Sequence, residues 1–167
     1  MRDPAFTKIE SMIDNQEFLS ALDHILNYET GRIKSPFSKD LNHAWYLVGS
    51  IYFMCDDFNQ SLRALKCSLK HWEDDHQAMY GVACCYSELG KPKLAERYFR
   101  KALSLSPNRG KYIYNLGNAL FDQNEYELAI IEYLKVPKSD LETHLLAQKN
   151  ILKAKSVLAE RAAPTTA

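Results

Sequence analysis

The sequence of 167 residues has no excess of either charge and no long apolar run. Lysine and arginine together number 21, as do aspartate and glutamate, whereas proteins that bind nucleic acid usually carry a basic excess. No apolar segment approaches the roughly 20 residues that span a bilayer. The first residues, Met1 to Pro4, lack the apolar core of a secretory signal. We therefore expect a cytoplasmic protein that inserts into no membrane and binds no nucleic acid.

The sequence also lacks the patterns of common catalytic and metal sites. It has no glycine-rich phosphate loop, no serine or cysteine with a suitably placed histidine, and no pair of acids beside a predicted cleft. The segment His71–His76 collects two histidines and three acids, but a turn whose acids cap the next helix accounts for it without a metal. We expect no enzymatic activity, no cofactor and no metal.

The four cysteines do not have the spacing of zinc ligands. In a chain without an export signal we expect them to be free thiols that pack as small apolar residues. They are Cys55, Cys67, Cys84 and Cys85.

What the sequence does contain is a pattern that recurs every 34 residues. The clearest copy, between His76 and Arg109, has as its fixed points Met79, Val82, Ala83, Tyr86, Gly90, Ala95, Phe99, Ala102 and Pro107. The copy before it places Trp45, Val48, Gly49, Tyr52, Ser61, Leu65 and Ser68 at the same positions. The copy after it places Ile113, Leu116, Gly117, Leu120, Ala129 and Tyr133 there.

This pattern resembles the tetratricopeptide repeat (TPR) family. The resemblance implies an all-α fold, a superhelical solenoid of antiparallel helix pairs with a C-terminal capping helix, and a role in binding other proteins. It predicts nine helices, with repeats at 42–75, 76–109 and 110–143, a degenerate repeat at 2–35, a loop insertion at 36–41, a capping helix at 139–161 and a disordered tail at 162–167. Turn residues extend the predicted loop back to residue 29. No strand pairing is expected within 42–136.

Several local signals support these boundaries. Asp3-Pro4 is a typical helix start, and Ser139 with Glu142 forms a capping box. Small residues mark the predicted crossing of each helix pair, at Ala21, Ser61, Ala95 and Ala129. The capping helix is predicted to cover the last apolar face with the leucines, isoleucine and valine of an amphipathic stripe, namely Leu145, Leu146, Ile151, Leu152, Val157 and Leu158.

The resemblance also implies a concave binding groove lined by the first helix of each pair. The residue that follows the bulky core residue points into that groove, and here it is aromatic in every repeat: Phe6, Tyr46, Tyr80 and Tyr114. Neighbouring inward rows add polar and aromatic side chains. The predicted peptide-binding groove consists of Tyr46, Tyr80, Tyr114, Lys111, Asn115, Asn118, His43, Gln77, Cys84, Phe53 and Phe121. Alternatively, these aromatics pack against one another or against the following repeat, or the loop of the chain itself covers Phe6 and Phe53.

The sequence does not decide which kind of protein the partner is. Lys111, Asn115 and Asn118 match parts of the clamp that holds the carboxylate of heat-shock chaperones, but the preceding repeats lack the rest of it. The architecture resembles small bacterial TPR adaptors and chaperones, including type III secretion chaperones for translocator proteins. The alternatives are a structural subunit of a pilus or secretion machine and, less favoured by the neutral charge, a regulator that contacts nucleic acid through the basic C-terminal helix.

Overall fold

The computed structural model describes residues 3–163, which contain nine α-helices, a short 3-10 helix and one pair of two-residue strands. Two compact units divide between Leu89 and Gly90. Residue 2 of the predicted first repeat and residues 164–167 of the predicted tail lie outside the described residues. No helix in residues 3–163 is long and apolar enough to cross a bilayer.

The first unit has five α-helices: α1 (Pro4–Asp14), α2 (Phe18–Ile25), α3 (Leu41–Met54), α4 (Phe58–His71) and α5 (His76–Glu88). Helices α3 and α4 are antiparallel. The Ser68 hydroxyl near the end of α4 donates to the Asn42 carbonyl at the start of α3 (2.8 Å), which places opposite ends of the two helices side by side. Midway along the pair, the Ser61 hydroxyl donates to the Gly49 carbonyl (2.7 Å). Helix α5 packs on α4 and also contacts α3.

The second unit contains α6 (Pro92–Leu105), α7 (Gly110–Asp122), α8 (Tyr126–Leu134) and α9 (Leu141–Ala162). Each helix packs on the next one, and α9 also contacts α7. In the α7–α8 pair, a Cβ atom at Gly117 would lie 2.5 Å from Cε1 of Tyr133, so only glycine permits this approach. The all-α repeat fold predicted from the sequence is confirmed.

Aspartate carboxylates begin most of these helices by accepting hydrogen bonds from backbone N–H groups of the first turn. They belong to Asp3, Asp40, Asp57, Asp75 and Asp140. The predicted start at Asp3-Pro4 is confirmed, whereas the capping box predicted at Ser139 is wrong by one residue. Asp140, not Ser139, accepts from the Thr143 N–H (3.3 Å), because an Asp at this position places its carboxylate over the first turn.

Four of the turns that follow a helix share one backbone conformation. A residue with a left-handed φ follows α1, α3, α5 and α7 at Gln16 (62°), Asp56 (59°), Gly90 (66°) and Asn124 (63°). The last three of these residues are spaced by the 34-residue period. Gln16 precedes Asp56 by 40 residues, which is one period plus the six residues of the predicted insertion. The same turn geometry thus recurs before α2, α4, α6 and α8.

The predicted loop over 29–41, together with the residues just before it, contains local structure that the sequence did not indicate. Strands β1 (Leu26–Asn27) and β2 (Arg32–Ile33) form an antiparallel pair, and a 3-10 helix follows at Phe37–Lys39. The Asn27 side chain accepts from the Thr30 N–H (3.0 Å), which holds the hairpin turn. Two-residue strands are too short to show a period-two pattern, so periodicity could not reveal them.

Helix α9 covers the second unit with small residues rather than with its leucines. Its buried residues are Thr143, Ala147, Ile151 and Ala154. The predicted covering face is therefore wrong in large part, since Leu145, Leu146 and Leu152 are exposed. Alanines permit close helix packing, and that packing selects a face on which leucine would not fit.

Replacing Ala129 with leucine should destabilise the protein by about 1–3 kcal/mol. Ala129 is fully buried in α8, at the small-residue position that also holds the fully buried Ala21, Ser61 and Ala95. Urea denaturation measures the change. The neighbouring Leu128 is 47% exposed, so Leu128→Ala serves as a control with a much smaller effect. An unchanged midpoint for Ala129→Leu would show that this position does not restrict helix packing.

Candidate functional site

A cavity of about 270 Å³ opens beside α3 and α5 in the first unit. Predicted groove residues from both helices meet there. Its lining residues are Tyr46, Gly49, Ser50, Phe53, Met54, Leu65, Gln77, Tyr80, Gly81 and Cys84. Thus the structure brings together Tyr46, Phe53, Gln77, Tyr80 and Cys84, which lie far apart in the sequence. We call this the first-unit pocket.

Two glycines and one leucine set the depth of the first-unit pocket. A Cβ atom at Gly49 would lie 2.6 Å from Cγ of Leu65, and one at Gly81 would lie 2.9 Å from its Cδ1. Leu65 is only 2% exposed, so its side chain fills the space that both glycines leave. The repeat pattern predicted a core role for Leu65 but gave no signal that it also lines a cavity.

The polar groups of the first-unit pocket are neutral. Burial raises the pKa of the Cys84 thiol to about 12, although a hydrogen bond with Tyr80 acts in the opposite direction. Burial also raises the pKa of the Tyr46 hydroxyl. At neutral pH both groups are protonated. Cys84 therefore contributes a small uncharged wall and not a thiolate nucleophile.

Phe6, the first residue of the predicted aromatic series, is covered by the inserted segment. The ring of Phe6 lies 5.3 Å from that of Phe37, edge to face, and 4.8 Å from the ring of His43. The His43 ring is stacked on Tyr46 at 6.4 Å, and its Nε2 is 3.3 Å from Oε1 of Glu10. Phe6 is only 7% exposed, which agrees with the alternative prediction that the loop of the chain itself covers it. His43 lies beside the pocket but is not among its lining residues.

The equivalent groups in the second unit are engaged by the C-terminal helix. Nδ2 of Asn150 on α9 lies 3.2 Å from the Tyr114 hydroxyl and 3.0 Å from Oδ1 of Asn118. The Tyr133 hydroxyl donates to the same Asn118 oxygen (2.7 Å). These residues, with Phe121, Asp122 and Lys153, line a cavity of about 310 Å³. The part of the predicted groove around Tyr114 is thus bounded by α9.

The remaining predicted residues of the second unit lie outside this cavity. Lys111 is exposed on α7, and Oδ1 of Asn115 accepts from Asn118 Nδ2 (3.3 Å). Asn150 was not predicted as a site residue. The signal that could have found it is a polar residue on the face that Ala147, Ile151 and Ala154 share, where apolar residues are expected.

The acidic segment before α5 has a structural role. Asp75 accepts from the N–H groups of Gln77 (2.9 Å) and Ala78 (3.1 Å) and from Nδ2 of Asn42 (3.1 Å). Within the described residues, no three histidine, cysteine or acidic side chains gather as metal ligands. All four cysteines are free, with Cys55 exposed and Cys85 buried.

Antiparallel packed helices, recurring left-handed turns and a fully buried small residue in each of α2, α4, α6 and α8 define an all-α helical-repeat protein. Two family profiles of the tetratricopeptide repeat match the sequence, one over residues 40–108 and one over residues 83–140. Together they span residues 40–140, which is more than half of the chain. The chain therefore belongs to the tetratricopeptide repeat family. No protein of curated function matches it significantly.

Solved structures show the same fold at low sequence identity. YrrB, described as a TPR protein with an unusual peptide-binding site, is 18% identical with a TM-score of 0.74; the match covers 95% of this chain and 78% of YrrB. The first TPR of Spaghetti (RPAP3), bound to an HSP90 peptide, is 20% identical with a TM-score of 0.66, over 73% of this chain and 98% of that one. The TPR2B domain of yeast Sti1, in complex with pHsp70, is 19% identical with a TM-score of 0.66, over 70% and 97%.

Proposed function

We propose that this chain is a protein-interaction module, and that the first-unit pocket holds an apolar side chain from a peptide segment of a partner protein. The observation that carries the proposal is the cavity itself, which is open, uncharged and lined by Tyr46, Phe53, Tyr80 and Leu65. Tyrosine suits such a role because it offers a large apolar area and a polar tip with few rotatable bonds.

The size of the pocket suits a single side chain. Its volume of about 270 Å³ lies near the lower end of the roughly 300–1,000 Å³ typical of small-molecule sites. Ser50 and Gln77 stand among the aromatics and offer polar groups to a peptide backbone. Peptides bound to similar folds, from HSP90 in the Spaghetti structure and Hsp70 in the Sti1 structure, support a peptide as the occupant.

The charge of the pocket argues against a peptide held by its terminal carboxylate. As far as residues 3–163 show, no lysine, arginine or acidic side chain lines the first-unit pocket. A buried carboxylate without a cationic partner is unfavourable, so an apolar residue inside the peptide is the better anchor. Contributions of Tyr114, Lys111 and Asn118 to peptide binding stay predictions, because α9 already contacts Tyr114 and Asn118.

Replacing Tyr80 with alanine should weaken peptide binding about 10- to 100-fold, the range for an aromatic anchor in a desolvated pocket. Peptides selected from a random library on the wild-type protein are synthesised, and their affinities are measured by fluorescence anisotropy. Tyr28→Ala is the matched control, because Tyr28 is 56% exposed and is not a lining residue of the pocket. The selected peptides should share an apolar residue. Unchanged affinity of a folded Tyr80→Ala variant would place the peptide elsewhere.

The narrower role depends on the partner. An adaptor or chaperone, for a secretion system or another machine, would hold a segment of its client in this pocket and release it. A structural subunit of an assembly would keep its partner permanently. Affinity capture from the native host with the wild type and with Tyr80→Ala identifies the partner held through the pocket, and the rate at which that partner dissociates distinguishes a released client from a permanent subunit.

A further inference from the structure

Helix α9 carries an apolar stripe that its own fold does not bury. Three leucines on it are strongly exposed: Leu141 (65%), Leu145 (59%) and Leu152 (70%). The same helix buries Ala147 and Ala154 completely. A helix that buries two alanines and exposes four of its five leucines departs from the distribution of an ordinary surface helix.

The three leucines form one continuous line. Helical residues are rotated by about 100° from one to the next, so Leu141, Leu145 and Leu152 lie within about 40° of each other around the axis. Gln148 falls on the same line, which completes the alternating spacing of four and three residues that is typical of a coiled-coil seam. The neighbouring helix α8, which packs on α9, exposes Leu128, Ile131 and Leu134 by 47%, 50% and 62%. A contiguous line of exposed apolar side chains favours an interaction site.

We propose that the occupant of this stripe is α9 of a second copy of the chain, packed antiparallel about a two-fold axis. This inference is independent of the peptide pocket. We choose a second copy as the occupant because the charged residues beside the stripe are complementary to themselves in an antiparallel pair. Glu142 and Lys149 lie seven residues apart on one flank, and both are exposed. An axis midway between them, near Leu146, places Glu142 of each copy opposite Lys149 of the other.

The apolar residues obey the same symmetry. With the axis near Leu146, Leu141 of one copy lies close to Leu152 of the other, and Leu145 lies close to Gln148. An isologous interface requires that one surface be complementary to itself, and here both the leucines and the charges satisfy that condition. In a parallel arrangement the flank that carries Glu142 and Lys149 would face the opposite flank of the other helix, so these charges would not pair with each other.

Sedimentation velocity of the full chain, over about 1 to 100 µM, should show a monomer–dimer equilibrium that shifts with concentration. The double variant Leu145→Glu, Leu152→Glu should remain monomeric over the same range, because it places charges on the seam. Leu19→Glu is the matched control, since Leu19 on α2 is 78% exposed and lies outside the stripe. A wild-type protein that is monomeric throughout would overturn the proposal, as would dimerisation of the double variant.

A charge exchange tests the antiparallel arrangement without altering the leucines. Glu142→Lys alone and Lys149→Glu alone should each weaken the dimer, because each places like charges opposite one another. The combined variant should recover the affinity of the wild type, since both ion pairs re-form in reversed order. Single changes that leave dimerisation unaltered, or a combined variant weaker than both, would overturn the antiparallel arrangement. Circular dichroism checks that all variants retain their helicity.

Discussion

The Tyr133→Ala variant is expected to lose about 3–5 kcal/mol of stability in the second unit, as large aromatic truncations in cores do. Tyr133 is fully buried and is the largest such side chain in residues 3–163. The edge of its ring occupies the space that Gly117 leaves open, and its centroid is 5.7 Å from that of Tyr114. Without the ring, α7 and α8 would enclose a cavity that neither helix can close.

The hydroxyl of Tyr133 adds a separate contribution. It donates to Oδ1 of Asn118 (2.7 Å), and Nδ2 of Asn150 lies 3.3 Å from it. Burial raises the pKa of this hydroxyl well above its usual value, so it remains a donor throughout the neutral range. Tyr133→Phe removes only the hydroxyl and should cost about 0.5–1.5 kcal/mol, the net contribution of one hydrogen bond, because Asn150 Nδ2 still donates to Asn118 Oδ1 (3.0 Å).

Hydrogen exchange localises the effect. Amides of α7 and α8 should lose protection in Tyr133→Ala, and amides of the first unit should lose much less, since the substituted residue lies in the second unit. Urea denaturation of the alanine and phenylalanine variants separates the ring from the hydroxyl. If both substitutions cost the same, the ring does not hold the α7–α8 pair together.

The repeat architecture was predictable because its determinants are local and periodic. Each helix pair needs a small residue where the helices cross and a turn that reverses the chain. Both requirements appear in the sequence every 34 residues, for example as Ser61 and Ala95. The left-handed turn residues, Asp56, Gly90 and Asn124, follow the same period. The 34-residue pattern therefore predicts where the helices pack and where the chain turns.

The inserted segment and α9 were not predictable in the same way. The hairpin after α2 depends on two-residue strands and on the Asn27 side chain, neither of which produces a periodic signal. On α9, both the alanine face and the leucine face repeat at helical spacing. Hydrophobicity favoured the leucines, whereas close packing against α7 and α8 selected Ala147 and Ala154.

The repeat positions of the predicted groove residues follow from the sequence, but the cavity that some of them line does not. Tyr46 and Tyr80 do line one pocket, as their shared position in the repeat indicates. Tyr114 occupies the same position, yet Asn150 hydrogen-bonds its hydroxyl. Contact with α9 depends on where the last helix packs, which the repeat pattern does not specify. The depth of the pocket depends in turn on Leu65, whose partners lie on two different helices.

Leu65→Ala should destabilise the first unit by about 2–5 kcal/mol, because it empties a buried site that Gly49 and Gly81 cannot fill. Gly49→Ala should also be destabilising. Its new Cβ atom would lie 2.6 Å from Cγ and 2.9 Å from Cδ2 of Leu65, closer than packed atoms approach. The backbone N of Leu65, at 3.3 Å, leaves little room for the helix itself to shift.

The double variant Gly49→Ala, Leu65→Ala should be more stable than the sum of the two single effects predicts. The shorter side chain at residue 65 removes the atoms that the new Cβ meets, and alanine is favoured over glycine in a helix by roughly 0.5–1 kcal/mol. Coupling between residues in contact is typically about 0.5–3 kcal/mol, so the deviation is measurable by urea denaturation of the four proteins. Gly31→Ala with Leu65→Ala is the additive control, since no atom lies within 4 Å of a Cβ at Gly31. Additive effects at Gly49 would mean that Leu65 does not limit the approach of α3 and α4, and that the depth of the first-unit pocket has another cause.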